Sequence, residues 1–184
     1  DYTHLVLDLS GAAGGEHLTV QLQGYPSQQQ LITAKSTEGN LDAYVLFRRL
    51  FLLTGNAAWD TYAQEAQQFL ATAWDPVDGK FWVGTVDGTV LDLFHLVEDA
   101  QSWAVMALGP AYEPALNWAQ ANLETTSDGF TGFDFGINTN GGDPWYSPAP
   151  DGVWFEGTAQ MAVAYQVSGA AGGADLSTFY LREL

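Results

Sequence analysis

Three glutamates, Glu38, Glu98 and Glu156, each stand at the head of an apolar stretch: "TEGNLDAYVLFRRLFLLTG", "VEDAQSWAVMALG" and "FEGTAQMAVAYQVSG". They are 60 and 58 residues apart, so the acidic start recurs at a nearly constant interval. Asp42 follows Glu38 by four residues and Asp99 follows Glu98 by one. Carboxyl groups gathered in one place are the reagents of glycosidic bond cleavage. One acid protonates the leaving oxygen and one carboxylate activates water or attacks carbon, with the two set about 5 to 9.5 Å apart. An acidic residue in the first turn of a helix also has a humbler role, favouring the positive end of the helix dipole by about 0.3–1 kcal/mol. Ser36 or Thr37 offers a cap at the first start. The candidate catalytic residues are Glu38, Asp99 and Glu156.

Their surroundings favour a site over a set of caps. Trp154 and Phe155 precede Glu156, and Phe81 and Trp82 lie in a loop expected at the same end, supplying flat faces for sugar rings. Asp42 and Gln160 each lie one helical turn beyond an acidic start, and Gln101 and Ser102 follow Asp99. Polar residues on otherwise apolar helices are costly unless they face a cavity or a partner. Asp42, Trp82, Gln101, Trp154, Phe155 and Gln160 are therefore the candidate substrate-binding residues. Trp59, Trp103 and Trp118 sit at helical spacing and read as packing.

These residues must be positioned by helices. Each acidic start leads into a mostly apolar segment closed by a glycine (Gly55, Gly109, Gly169), expected to be a left-handed C-terminal cap. Each is followed by a more amphipathic segment: "AAWDTYAQEAQQFLATAW", "AYEPALNWAQANLE" and "ADLSTFYLREL". The first helix of each pair, apolar all round, is expected to be inner and buried, and the second outer. Aromatic, glycine-rich loops join the pairs, and the longer of them, around "SDGFTGFDFGINTNGGDPWYSPAPDGVW", is long enough to be functional. The fold class is mainly α: three α/α hairpins over residues 36–184, in a toroid or half-toroid with all acidic starts at one end. Residues 1–35 read differently, because "HLVLDLSG" and "HLTVQLQG" alternate as in a short β-hairpin.

Composition narrows the partners. A net charge of −17, from 5 basic and 22 acidic residues, repels phosphate backbones, so nucleic acid is not expected. A neutral carbohydrate is compatible with that field. No segment is apolar over the length of a membrane span, and the start "DYTHLVLDLSG" has neither the basic nor the apolar region of a signal peptide. Asp1 in place of Met indicates a processed, truncated or partly sequenced chain, and no localisation is assigned. With no cysteine and three histidines, thiolate chemistry is excluded and a metal site is disfavoured. His95 and Glu98 lack the second histidine of a zinc helix, and no phosphate loop or dinucleotide fingerprint occurs, so no cofactor is expected.

The segments "STEGNLDAYVLFRRLFLLTG", "EDAQSWAVMALGP" and "VWFEGTAQMAVAYQ" resemble the six-hairpin glycosidase-like superfamily. The resemblance covers Ser36 to about Tyr180. It implies an (α/α)6 toroid with a carbohydrate site in the cup at one end, where Glu38, Asp99 and Glu156 occupy cup-facing helix starts. Most such proteins are glycoside hydrolases; lyases, phosphorylases and epimerases share the scaffold. Gly39 and Asn40 stand where the sugar 2-epimerase branch implies a histidine, which speaks against epimerisation. Only three hairpins are present, where the resemblance implies six: either the chain is the C-terminal half of a longer protein, or it is an arc of three that exposes an apolar flank covered by self-association or a partner chain.

Overall fold

The computed structural model describes residues 33–137 and 152–184. The strand-like reading of residues 1–35 therefore falls outside the described residues, apart from 33–35. Helix α1 (Thr37–Thr54) opens at Ser36, which is extended and accepts a hydrogen bond from the Gly39 N–H at 3.2 Å. It closes at Gly55, whose left-handed conformation (φ 66°) turns its N–H back to the Phe51 carbonyl. Helix α2 (Ala57–Ala73) starts one residue later on an Asn56 side-chain cap. Strands β1 (Trp74–Asp75), β2 (Lys80–Phe81) and β3 (Leu96–Val97) lead to α3 (Asp99–Leu108). A 3-10 turn at Pro110–Tyr112 then leads into α4 (Pro114–Leu123). Strands β4 (Glu124–Ser127), β5 (Phe130–Phe133) and β6 (Gly136–Ile137) precede α5 (Phe155–Ser168) and α6 (Gly173–Glu183).

The helices form three hairpins, α1/α2, α3/α4 and α5/α6, and α3 packs against both α1 and α5. Two hydrophobic cores fill the joints. Leu41, Leu70, Phe81, Val97 and Ala104 join the first hairpin to the second; Leu116, Leu123, Phe133, Met161, Tyr165 and Tyr180 join the second to the third. Alanines at the crossings, among them Ala63, Ala100, Ala119 and Ala162, let the helix axes approach closely. The strands pair antiparallel as β1–β2, β3–β6 and β4–β5.

Two expectations need correction. Helix α1 is not buried all round. Only Thr37 and Leu41 are buried, while Val45, Leu46, Leu52 and Leu53 are exposed, because among the described residues the helix packs mainly against α2 and α3. A run of apolar residues reports that a face wants a neighbour, not that it has one. The glycine stops also differ: Gly55 and Gly169 are left-handed, whereas Gly109 takes a positive φ outside that region (φ 95°, ψ −175°) and feeds the 3-10 turn.

Candidate active site

The N-termini of α1, α3 and α5 are stitched together by short backbone links. Thr37, fully buried, donates its N–H to the Val83 carbonyl at 2.9 Å and its hydroxyl to the Trp82 carbonyl at 2.6 Å. Ser36 bridges Gly84, where a Cβ would lie 1.9 Å from the Lys35 carbonyl oxygen, so only glycine allows the two strands this close. Asp92 N–H bonds to the Gly84 carbonyl and Glu98 N–H to the Phe135 carbonyl, both at 2.9 Å. Trp154 N–H reaches the Phe133 carbonyl at 2.7 Å, and the Thr158 hydroxyl accepts from Phe133 N–H at 3.0 Å. The small sheets thus lie at the starts of the inner helices and hold them in register.

Glu38, Glu98, Asp99 and Glu156 stand at these starts, and none caps its helix. Ser36 caps α1, and neither Glu98 nor Trp154, at the cap positions of α3 and α5, makes a side-chain cap bond. Two of the four, Glu98 and Asp99, are perturbed by their surroundings. Burial raises the Asp99 pKa to about 6, with further upward pressure from Glu38 and Glu156, against a lowering bond from the Ala100 N–H. Asp99 is 9 % exposed and its Oδ1 has no hydrogen-bond partner among the described residues. Burial also pushes Glu98 well above the usual carboxylate range; the Ser102 hydroxyl, without reaching hydrogen-bonding geometry, acts the other way, and Asp99 and Glu156 add to the rise. Glu98 is fully buried, with both oxygens unpartnered, whereas Glu38 and Glu156 are exposed. The arrangement is a graded one: a sealed carboxyl, a nearly sealed one, and two that face solvent.

A second layer lies one turn further along the helices. Ser102 Oγ, Trp103 Nε1 and Gln160 Oε1 are buried without partners, four residues beyond Glu98, Asp99 and Glu156 respectively. Burial also pushes Asp42, four residues beyond Glu38, upward. Unpartnered buried polar atoms cost about 1–3 kcal/mol each, and sites that await a ligand are where folds retain them. Trp103, expected to be packing only, does pack against Ala104 and its neighbours, yet its indole N–H belongs to this layer.

Gln101 has a different role from the one its spacing indicates. It is fully buried; its Nε2 donates to the carbonyls of Phe81 (2.9 Å) and Val97 (3.0 Å), and its Oε1 accepts from Phe81 N–H (2.8 Å). With both amide hydrogens donated and the side chain fully buried, it pins β2 to α3 and faces no ligand. Phe81 is likewise core, buried against Trp74 and Tyr112. Trp82 is half-buried with Lys80 Nζ 4.4 Å from its ring. Trp154 packs edge-on to Phe135 (centroids 5.1 Å apart), and Phe155, exposed, meets Phe130 at 5.5 Å. Sequence reasoning passed over Gly157. A Cβ there would lie 2.2 Å from the Trp154 ring and 2.6 Å from Glu98 Oε2, so this glycine is what lets α5 seat against the buried carboxyl. Its signal was a glycine inside the first turn of a helix, where it lowers helix propensity.

Among the described residues no group of three or more His, Asp or Glu side chains has the geometry to hold a metal. A separate open groove of about 580 Å³ runs between α1 and α2, lined by Tyr44, Arg48, Asp60, Gln64, Gln67 and Gln68, and holds none of the acids above.

No family profile and no curated protein sequence matches the chain. Solved structures do. An α-1,6-mannanase of glycoside hydrolase family 76 from Salegentibacter sp. aligns with TM-score 0.58 at 11% identity, over 80% of this chain and 46% of its own. That protein is an inactive variant with two consecutive aspartates changed to asparagine, bound to α-1,6-mannotriose. What the two share is the fold, the mainly α, toroid-like arrangement of α/α hairpins described above. A family 76 mannosidase from Bacteroides thetaiotaomicron matches with TM-score 0.56 at 14% identity over 90% of this chain and 46% of its own. Cellobiose 2-epimerase from Spirochaeta thermophila matches with TM-score 0.55 at 16% identity over 82% and 43%. The chain thus spans less than half the length of these structures, and at such identities the likeness establishes the fold alone.

Proposed function

We propose that the half-toroid forms part of a carbohydrate-active site of the glycoside hydrolase type. The observation that carries this reading is the electrostatic convergence of Glu38, Glu98, Asp99 and Glu156 at the starts of three helices far apart in sequence. Asp99 is assigned as the general acid, because a carboxyl with a pKa near 6 keeps its proton at mildly acidic pH while one edge remains open. Glu38 and Glu156, exposed on either side, are the carboxylates available to activate water or attack the anomeric carbon. Glu98 and Asp99 are consecutive acids at an inner helix start, an arrangement that parallels the consecutive aspartates replaced in the inactive mannanase. Asp42, Trp82, Trp154, Phe155 and Gln160 are assigned to the substrate, with Trp103 and Ser102 beneath them.

The test is a hydrolysis screen on manno-oligosaccharides and other neutral oligosaccharides with wild type, Glu38→Gln, Asp99→Asn and Glu156→Gln. Loss of turnover in Asp99→Asn with retained binding is expected; equal turnover in all four proteins removes the catalytic assignment. A second reading is a non-catalytic sugar-binding or assembly module, because the unpartnered buried Ser102 Oγ, Trp103 Nε1 and Gln160 Oε1 suit recognition as well as turnover. That reading expects binding without turnover in every variant.

A further inference from the structure

Cleaving a glycosidic bond employs two carboxyl groups. The starts of α1, α3 and α5 supply four, Glu38, Glu98, Asp99 and Glu156, with Asp42 one turn beyond Glu38. The charges that act on Glu98 and Asp99 are negative: Glu38 and Glu156 on Asp99, Asp99 and Glu156 on Glu98. None of the chain's five basic residues is among them, and all five lie within the described residues. Lys80 is held by Asp75 and Asp78, Arg48 by Asp60, and Lys35 turns its ammonium to the Phe69 ring on α2. Arg49 stands about 16 Å along α1 from Glu38, and Arg182 lies in the last turn of α6.

The buried polar atoms share this bias. Glu98 Oε1 and Oε2, Asp99 Oδ1 and Gln160 Oε1 lack a donor, and the Ser102 hydroxyl, itself fully buried, is unpartnered beside Glu98. Among the buried side-chain atoms of the described residues, only Trp103 Nε1 is an N–H without an acceptor. A site so furnished favours a ligand that brings both donors and positive charge, and a protonated amine brings both. Among the described residues no three acids have the geometry to hold a metal, so the cation is an organic one. The chain's net charge of −17 would draw it in.

We propose that the sugar taken by this site carries a free amine, whose ammonium group is received by Glu156 and the Gln160 amide oxygen. These two stand one helical turn apart on α5, an exposed carboxylate followed by a buried acceptor. Glu38 and Asp99 then remain for the reaction, and the surplus carboxylate has a task. The inference rests on the carbohydrate reading and narrows its substrate class to unacylated amino sugars.

Calorimetric and NMR titrations of the chain with hexosides aminated at different ring carbons, their N-acetylated forms and the neutral parent sugars provide the test. At least one amino sugar should bind about tenfold more tightly than its N-acetylated and neutral counterparts, the margin of a charge-assisted over a neutral hydrogen bond. That advantage should shrink as salt is raised. Glu156→Gln should remove it, Glu156→Asp should keep it in part and Glu38→Gln should keep it, with all three variants folded by circular dichroism because both positions are exposed. Putrescine, a cation without a sugar ring, should bind more weakly than the amino sugar. Neutral sugars that bind as tightly as every aminated one would overturn the inference and leave the carbohydrate reading standing; no binding of any sugar would overturn both. An advantage undiminished in Glu156→Gln, lost in Glu38→Gln or matched by putrescine would likewise overturn the inference.

Discussion

Replacing Asp99 with asparagine should stabilise the protein at neutral pH and leave it unchanged near pH 4. The native pKa of about 6 stands roughly two units above the 3.8 of an unperturbed aspartate. At ~1.36 kcal/mol per unit, ionising Asp99 in the folded state costs about 3 kcal/mol relative to the unfolded chain. The sign follows from proton counts. Between about pH 4 and pH 6 the folded state holds a proton that the unfolded state has released, so stability falls as pH rises through that window and levels off above it. An asparagine never pays this cost, and at a position whose Oδ1 is buried without a partner it removes no hydrogen bond at that atom. Urea unfolding at pH 4, 5, 6 and 7 and fixed ionic strength should show variant and wild type converging at pH 4 and separating by up to about 3 kcal/mol at pH 7. A variant less stable than wild type at pH 7, or a difference that does not change with pH, would refute the reasoning about the acidic cluster.

Other outcomes follow from the same geometry. Glu38→Gln should lower the pKa of Asp99, because Glu38 is a cause of its rise; carbon-detected NMR titration of the Asp99 carboxyl would read the shift, and no movement would break the link. Gly157→Ala should destabilise by about 1–3 kcal/mol, the range for overpacking, although alanine is the better helix former. A gain in melting temperature would contradict the contact with Trp154 and Glu98. Gln101→Leu should cost about 3 kcal/mol by leaving the Phe81 N–H and carbonyl unpaired, with unaltered saccharide affinity in the folded fraction; a selective loss of affinity would return Gln101 to the binding site.

The helical repeat was legible because its signal is local. The acidic start, the apolar run and the glycine stop recur at a near-constant interval, and each can be read within about twenty residues. Where the carboxyls converge was partly legible, since equal spacing of like helices places their starts at one end. Three features were not. The fate of Gln101 depends on a backbone segment twenty residues earlier in the chain, joined to it only by the fold. The exposure of Leu46 and Leu53 depends on which neighbours a helix has, which an apolar run does not state. The importance of Gly157 lies in the space occupied by Trp154 and Glu98, which only packing reveals.

The central claim, that the acidic inner-helix starts form a saccharide site, is tested most directly by backbone NMR shift mapping during titration with α-1,6-mannotriose and a panel of neutral oligosaccharides. The account predicts saturable shifts at Glu38, Asp99, Trp103, Glu156 and Gln160, with the Tyr44–Arg48–Gln64 groove unmoved. Saturable shifts confined to that groove, or none with any saccharide, would contradict it.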